Sequence, residues 1–171
     1  MTWLRRNLPA LIVIVLAVPA LAFVLVGVPA LDRPPAAVTV VAQGDTAEAG
    51  GYSFTLTISK EFPGTGDNGV PVGSSLIGAL IDVEPVDPGD PPLCDAELTS
   101  RAGGTERAWR ALTSPRDFEY AVSDDSETYC GLEGEPFQYE TVFLVPEGAY
   151  DGATIDISVG AELLRMELQQ G

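Results

Sequence analysis

Tyr52, Phe54, Leu56 and Ile58 are apolar, and Ser53, Thr55, Thr57 and Ser59 between them are polar. That two-residue period belongs to a β-strand, whose successive side chains leave on opposite faces, and it predicts a strand with one face in a core. The pattern recurs. Cys94, Ala96 and Leu98 alternate with Asp95 and Glu97; Phe137, Tyr139, Phe143 and Val145 share a face; so do Ile155, Ile157 and Val159, and Leu164, Met166 and Leu168. Leu76 to Glu84 is more continuously apolar, as expected of a central strand covered on much of both faces. Val38 to Val41, Ala108 to Leu112 and Phe118 to Val122 read as shorter strands. The strands around Phe137–Val145 and Ala153–Val159 are expected to pair as a hairpin across 147–152.

The segments between these runs are turn chemistry: Gln43-Gly44-Asp45, Gly50-Gly51, the Gly- and Pro-rich stretch 63–73, the Pro-rich run 85–92, and Gly103-Gly104. No long amphipathic helix follows residue 31. About 8–10 short strands separated by such turns predict an all-β fold, an immunoglobulin-like antiparallel β-sandwich.

One N-terminal helix is expected to precede it. Asn7 to Leu31 contains no charged residue and follows Arg5 and Arg6 directly. These 25 residues would span roughly 37 Å as a helix, more than the ~30 Å hydrocarbon core of a bilayer. The fifteen Leu, Ile, Val and Phe residues from Leu8 to Leu31 favour insertion by roughly 5 to 9 kcal/mol before penalties. Pro19 predicts a kink. The alternative is a signal peptide cleaved after Ala20-Leu21-Ala22, which has the small-x-small pattern of a cleavage site. The apolar run continues through Phe23 to Val28, longer than an ordinary signal core, so an uncleaved anchor is the preferred reading. The arginines place residues 1–6 in the cytoplasm, the span at 7–31, a Pro-rich linker at 32–37 and an extracytoplasmic domain at 38–171.

All twenty-five acidic residues lie after residue 31, against seven of the nine basic ones, a net of −18 for that part of the chain. Such a charge argues against nucleic acid, which requires cationic side chains to neutralise phosphate. Cys94 and Cys130 are the only cysteines, and in an oxidising compartment the pair is expected to form a disulfide. Closing that loop would stabilise the fold by about 3 to 4 kcal/mol in the chain-entropy model.

The sequence has no histidine, which removes Ser/His/Asp and Cys/His arrangements, and bonded cysteines would leave no thiol nucleophile. Lys60, beside Glu61 at a strand end, reads as a solvated charge. Catalysis is not expected, and no cofactor is implied. Calcium is the ion the composition invites, since hard oxygen ligands are abundant in two loops: Asp87 and Asp90 in one, Asp124, Asp125 and Glu127 in the other. Neither matches an EF-hand loop. Trp109 is expected to be buried or partly buried packing.

The layout resembles a group of uncharacterised membrane-anchored proteins of high-GC Gram-positive bacteria, with one extracytoplasmic immunoglobulin-like domain of unknown function. The matching features are Trp3-Leu4-Arg5-Arg6-Asn7, Gly50-Gly51-Tyr52, Val83-Glu84-Pro85, the Cys94/Cys130 pair and Phe143-Leu144-Val145-Pro146. The resemblance implies location and fold and brings no activity. The expected role is a membrane-anchored interaction or accessory module, held to lipid through residues 7–31 and contacting another cell-envelope protein. The alternative is a calcium-dependent or glycan-contacting adhesion domain.

Overall fold

The computed structural model describes residue 17 and residues 37–87, 94–101, 104–131 and 134–169. Apart from residue 17, the expected span 7–31 lies outside the described residues, as do most of the linker, and Asp90. Among the described residues no helix is long and apolar enough to cross a membrane.

The residues from Pro35 to Gly171 form a compact unit. Ten strands are described: β1 (Ala37–Val41), β2 (Thr46–Ala49), β3 (Tyr52–Pro63), β4 (Ser74–Pro85), β5 (Cys94–Ser100), β6 (Arg107–Arg110), β7 (Ser126–Glu127), β8 (Phe137–Pro146), β9 (Thr154–Val159) and β10 (Glu162–Glu167). They make two five-stranded sheets, one in the order β1-β10-β9-β5-β6 and the other β2-β3-β4-β8-β7. The fold is a β-sandwich. It is antiparallel apart from two edge pairings, β1 with β10 and β7 with β8, which are parallel.

The alternating residues meet between the sheets. Tyr52, Phe54 and Leu56 of β3, Ile77, Ala79, Ile81 and Val83 of β4 and Phe143 and Val145 of β8 face Ala96, Leu98, Ile155, Ile157, Leu164 and Met166 of the other sheet. Trp109 packs half-buried at the rim of this core.

Three expectations fail for physical reasons. Ile58 is 56% exposed, because the β3–β4 register shifts between Leu56 and Ile58. The extra residue of that bulge reverses the parity of the strand beyond it, so Ser59 turns inward and Ile58 outward. Ser59 is then held by hydrogen bonds with Gln43 Oε1 at 2.9 Å and the Tyr150 hydroxyl at 2.9 Å. The β8–β9 hairpin does not exist: β8 pairs with β4, and β9 pairs with β5 and β10. Both strands turn apolar residues into the same core from different sheets, so the 147–153 connection passes from one sheet to the other. Phe118 to Val122 is not a strand. Pro115–Phe118 is a single 3-10 turn, closed by Glu119 in the left-handed region at φ 55°.

Candidate functional site

Between β6 and β7 the chain lies as a strap over the outer face of the β4–β8 sheet. Leu112 begins it, its backbone N–H donating to Val142 of β8 at 2.7 Å. Leu112, Phe118 and Tyr120 then pack with Phe62 and Leu144 on buried Val70, Leu76 and Val142, a second and smaller apolar cluster. The Tyr120 ring meets Phe62 edge-on, with centroids 5.5 Å apart. Beneath it lies Gly78 of β4, where a Cβ would collide with the Tyr120 hydroxyl and stand 3.1 Å from Cζ. A glycine inside a strand marks such close approaches.

The strap is fastened by a buried carboxylate. Glu140 of β8 is 7% exposed; its Oε1 accepts from the Tyr120 hydroxyl at 2.8 Å, and its Oε2 from the Ser123 backbone N–H at 2.9 Å and from the Ser126 hydroxyl. Burial, and next the bond to Glu140, hold the Tyr120 phenol well above its ordinary titration range. A buried charge with three donors is compensated, so Glu140 fixes where the chain emerges as β7.

Around β7 three open clefts converge. The first, about 490 Å³, lies between the 3-10 turn and the start of β7; Arg116, Asp117, Asp124, Ser126 and Glu127 line it. The second, about 360 Å³, is lined by Asp82, Glu84, Asp125 and Phe137. The third, about 440 Å³, is lined by Glu127, Tyr129, Gly131, Glu135, Pro136 and Phe137. Among the described residues, Arg116 is the sole basic one that lines them.

Cys94 and Cys130 are joined by a disulfide, with Cα atoms 5.4 Å apart. It ties the start of β5 in one sheet to the loop that runs from β7 to β8 in the other. Of the calcium candidates, four are among the described residues. Asp87 is exposed beyond β4, while Asp124 and Glu127 open onto the first cleft and Asp125 onto the second. Among the described residues no three carboxylate or cysteine side chains come together as a metal-binding set. Lys60 lies over the Phe62 ring at 5.2 Å from its centroid.

Sequence reasoning passed over Glu140, Gly78, Tyr120 and Tyr129. Signals pointed to two of them: a glycine in the most apolar strand for Gly78, and a glutamate flanked by Tyr139 and Thr141 for Glu140.

The class this defines is a two-sheet β-sandwich with a strap across one outer face. No protein-family model matches the chain, and no curated protein matches it. Among solved structures it is similar to an uncharacterised β-sandwich protein from Clostridium difficile 630, at 8% identity and a TM-score of 0.46 over 81% of this chain and 99% of that one. It is also similar to a conserved hypothetical protein from Bacillus anthracis, at 11% identity and a TM-score of 0.45 over 75% of this chain and 94% of that one.

Proposed function

We propose that this chain is a single-pass membrane protein displaying an immunoglobulin-like sandwich outside the cytoplasm, and that the sandwich binds another envelope component without catalysis. The observation that carries this reading is the convergence of three clefts on β7, a short edge strand whose position is fixed by Glu140 and by the disulfide. Rigid positioning of a rim is what a recognition surface requires, because ordering side chains on binding costs affinity. The uncharged span and paired arginines support the anchor, and the cysteine bond suits an oxidising compartment. The absence of histidine from the sequence supports binding rather than acid–base chemistry. An immunoglobulin-like reading is supported by the strand neighbours β4-β8-β7 facing β10-β9-β5-β6, although β7 runs parallel to β8.

The test is crosslinking in intact cells. A photoreactive residue replaces Thr128, at the rim, or Val38, on edge strand β1 of the other sheet, and the full chain is recovered for mass spectrometry. A membrane protein captured from position 128 and not from 38 supports an accessory module of that partner. Recovery of the chain alone from both positions removes the partner reading and favours the self-standing adhesion alternative.

A further inference from the structure

Tyr129 is 59% exposed, and its ring meets the turn that follows it along one edge. It lies against Gly131, where a Cβ would stand 2.5 Å from ring atom Cε2 and 3.2 Å from Cδ2. The Gly131 backbone N–H donates to the Tyr129 carbonyl at 3.1 Å, closing a tight turn. The residue between them is Cys130, whose disulfide fastens that turn to β5. The Cδ2, Cε2 and Cζ edge of the ring therefore meets the glycine, and the exposed ring borders the third cleft. Glu127 and Glu135 line the same space, with Phe137. Neither glutamate is engaged in a salt bridge or a side-chain hydrogen bond among the described residues.

We propose that this cleft binds an organic ammonium group. The inference rests on the β7 rim being the recognition surface and names the chemistry it would recognise. An open aromatic face attracts a cation through its quadrupole, and flanking carboxylates add to the attraction. The alternatives fit less well. A divalent metal requires several converging oxygen ligands, and none of the described residues supply such a set. A neutral sugar would hydrogen-bond to Glu127 and Glu135 through its hydroxyls but would leave both charges without a counter-charge, which an ammonium supplies. The ammonium has two possible sources, a lysine side chain of a partner and a free quaternary amine.

The experiment uses the full-length chain in a polyoxyethylene-ether detergent, which has neither a sugar nor an ammonium headgroup. The Gly131 amide is followed by NMR at constant ionic strength while n-butylammonium, tetramethylammonium, methyl glucoside or calcium chloride is added. Either ammonium should give a saturable shift. Tyr129→Phe should keep it, Tyr129→Leu should weaken it about two- to fivefold, and Glu127→Gln with Glu135→Gln should weaken it by a similar factor. Tighter binding of n-butylammonium points to a lysine side chain, and tighter binding of tetramethylammonium to a quaternary amine. A shift that stays linear, one unaffected by the glutamine variants, or one matched by methyl glucoside or calcium overturns the proposal. If the ammonium fails while position 128 still captures a membrane protein, only the ligand chemistry falls. If the ammonium binds and no partner is captured, the accessory-module reading falls instead.

Discussion

Gly78→Ala is the substitution for which the structure and simple propensity disagree most. In a strand, alanine in place of glycine should add about 0.5 to 1 kcal/mol of stability. Here the added methyl collides with the Tyr120 hydroxyl and lies 3.1 Å from Cζ and 3.2 Å from Cε2, so the ring must lift. Lifting it breaks the bond to Glu140, a hydrogen bond to a charged acceptor worth about 1.5 to 3 kcal/mol. It also disturbs the edge-on contact with Phe62, worth about 0.5 to 1.5 kcal/mol. Set against the propensity gain, the net loss is about 2 kcal/mol, within about 1 to 4. The assay is urea unfolding of the compact unit, residues 35–171, followed by the fluorescence of Trp109, its only tryptophan. In a Tyr120→Phe background the hydroxyl is already gone, so Gly78→Ala should cost at least about 1 kcal/mol less. Equal cost in the two backgrounds, or a stabilising Gly78→Ala, would refute the strap geometry.

Four further outcomes are expected. Because Tyr120 titrates above its ordinary value of 10.0, the unfolded chain loses this proton first; stability is intact below that pH and falls above it, and Tyr120→Phe should flatten the fall in urea midpoint between about pH 10 and pH 12. Ser75, fully buried and with no hydrogen-bond partner for its hydroxyl among the described residues, should gain about 1 kcal/mol on change to alanine, read as a higher midpoint. Arg165 holds Asp156 by two bonds, Nε to Oδ1 at 2.8 Å and Nη2 to Oδ2 at 2.6 Å; Arg165→Met should cost about 2 kcal/mol, less than a fully buried pair because the arginine is partly solvated. Reduction of the disulfide, which spans 36 residues of sequence, should lower stability by about 3 to 4 kcal/mol, and calorimetry with and without reductant measures it.

Much of the architecture was legible because period-two alternation is local. Tyr52 to Leu56, Ala96 with Leu98, and Ile155 to Val159 could be assigned a buried face from sequence, and each has one. What alternation does not encode is which sheet a strand joins, and so β8 and β9 were expected to pair although they belong to different sheets. Nor does it encode a bulge, and the single extra residue after Leu56 is why Ile58 faces outward. The strap was illegible for a different reason: Leu112, Phe118 and Tyr120 pack on a face, with no ladder to impose a period. Of the site, the acidic loop around Asp124, Asp125 and Glu127 was visible as composition. Its division between two clefts comes from the course of β7, which depends on Glu140, a residue distant from it in sequence. Tyr129 was hidden because its meaning comes from Gly131 and the disulfide together.

The parallel pairing of β1 with β10 bears on how the domain responds to pulling. Ala37 lies beside Glu162 and Val41 beside Met166, so the chain enters and leaves the sandwich at opposite ends of two adjacent strands. Tension applied between those ends runs along the strands, and five residue pairs must slip together before either strand detaches. Had β1 been antiparallel to β10, the same tension would open the pairs one after another like a zipper. Force-ramp spectroscopy on the 35–171 unit should therefore find a high rupture force when it is pulled through its termini, and a lower one when it is pulled through the β9–β10 turn and residue 37.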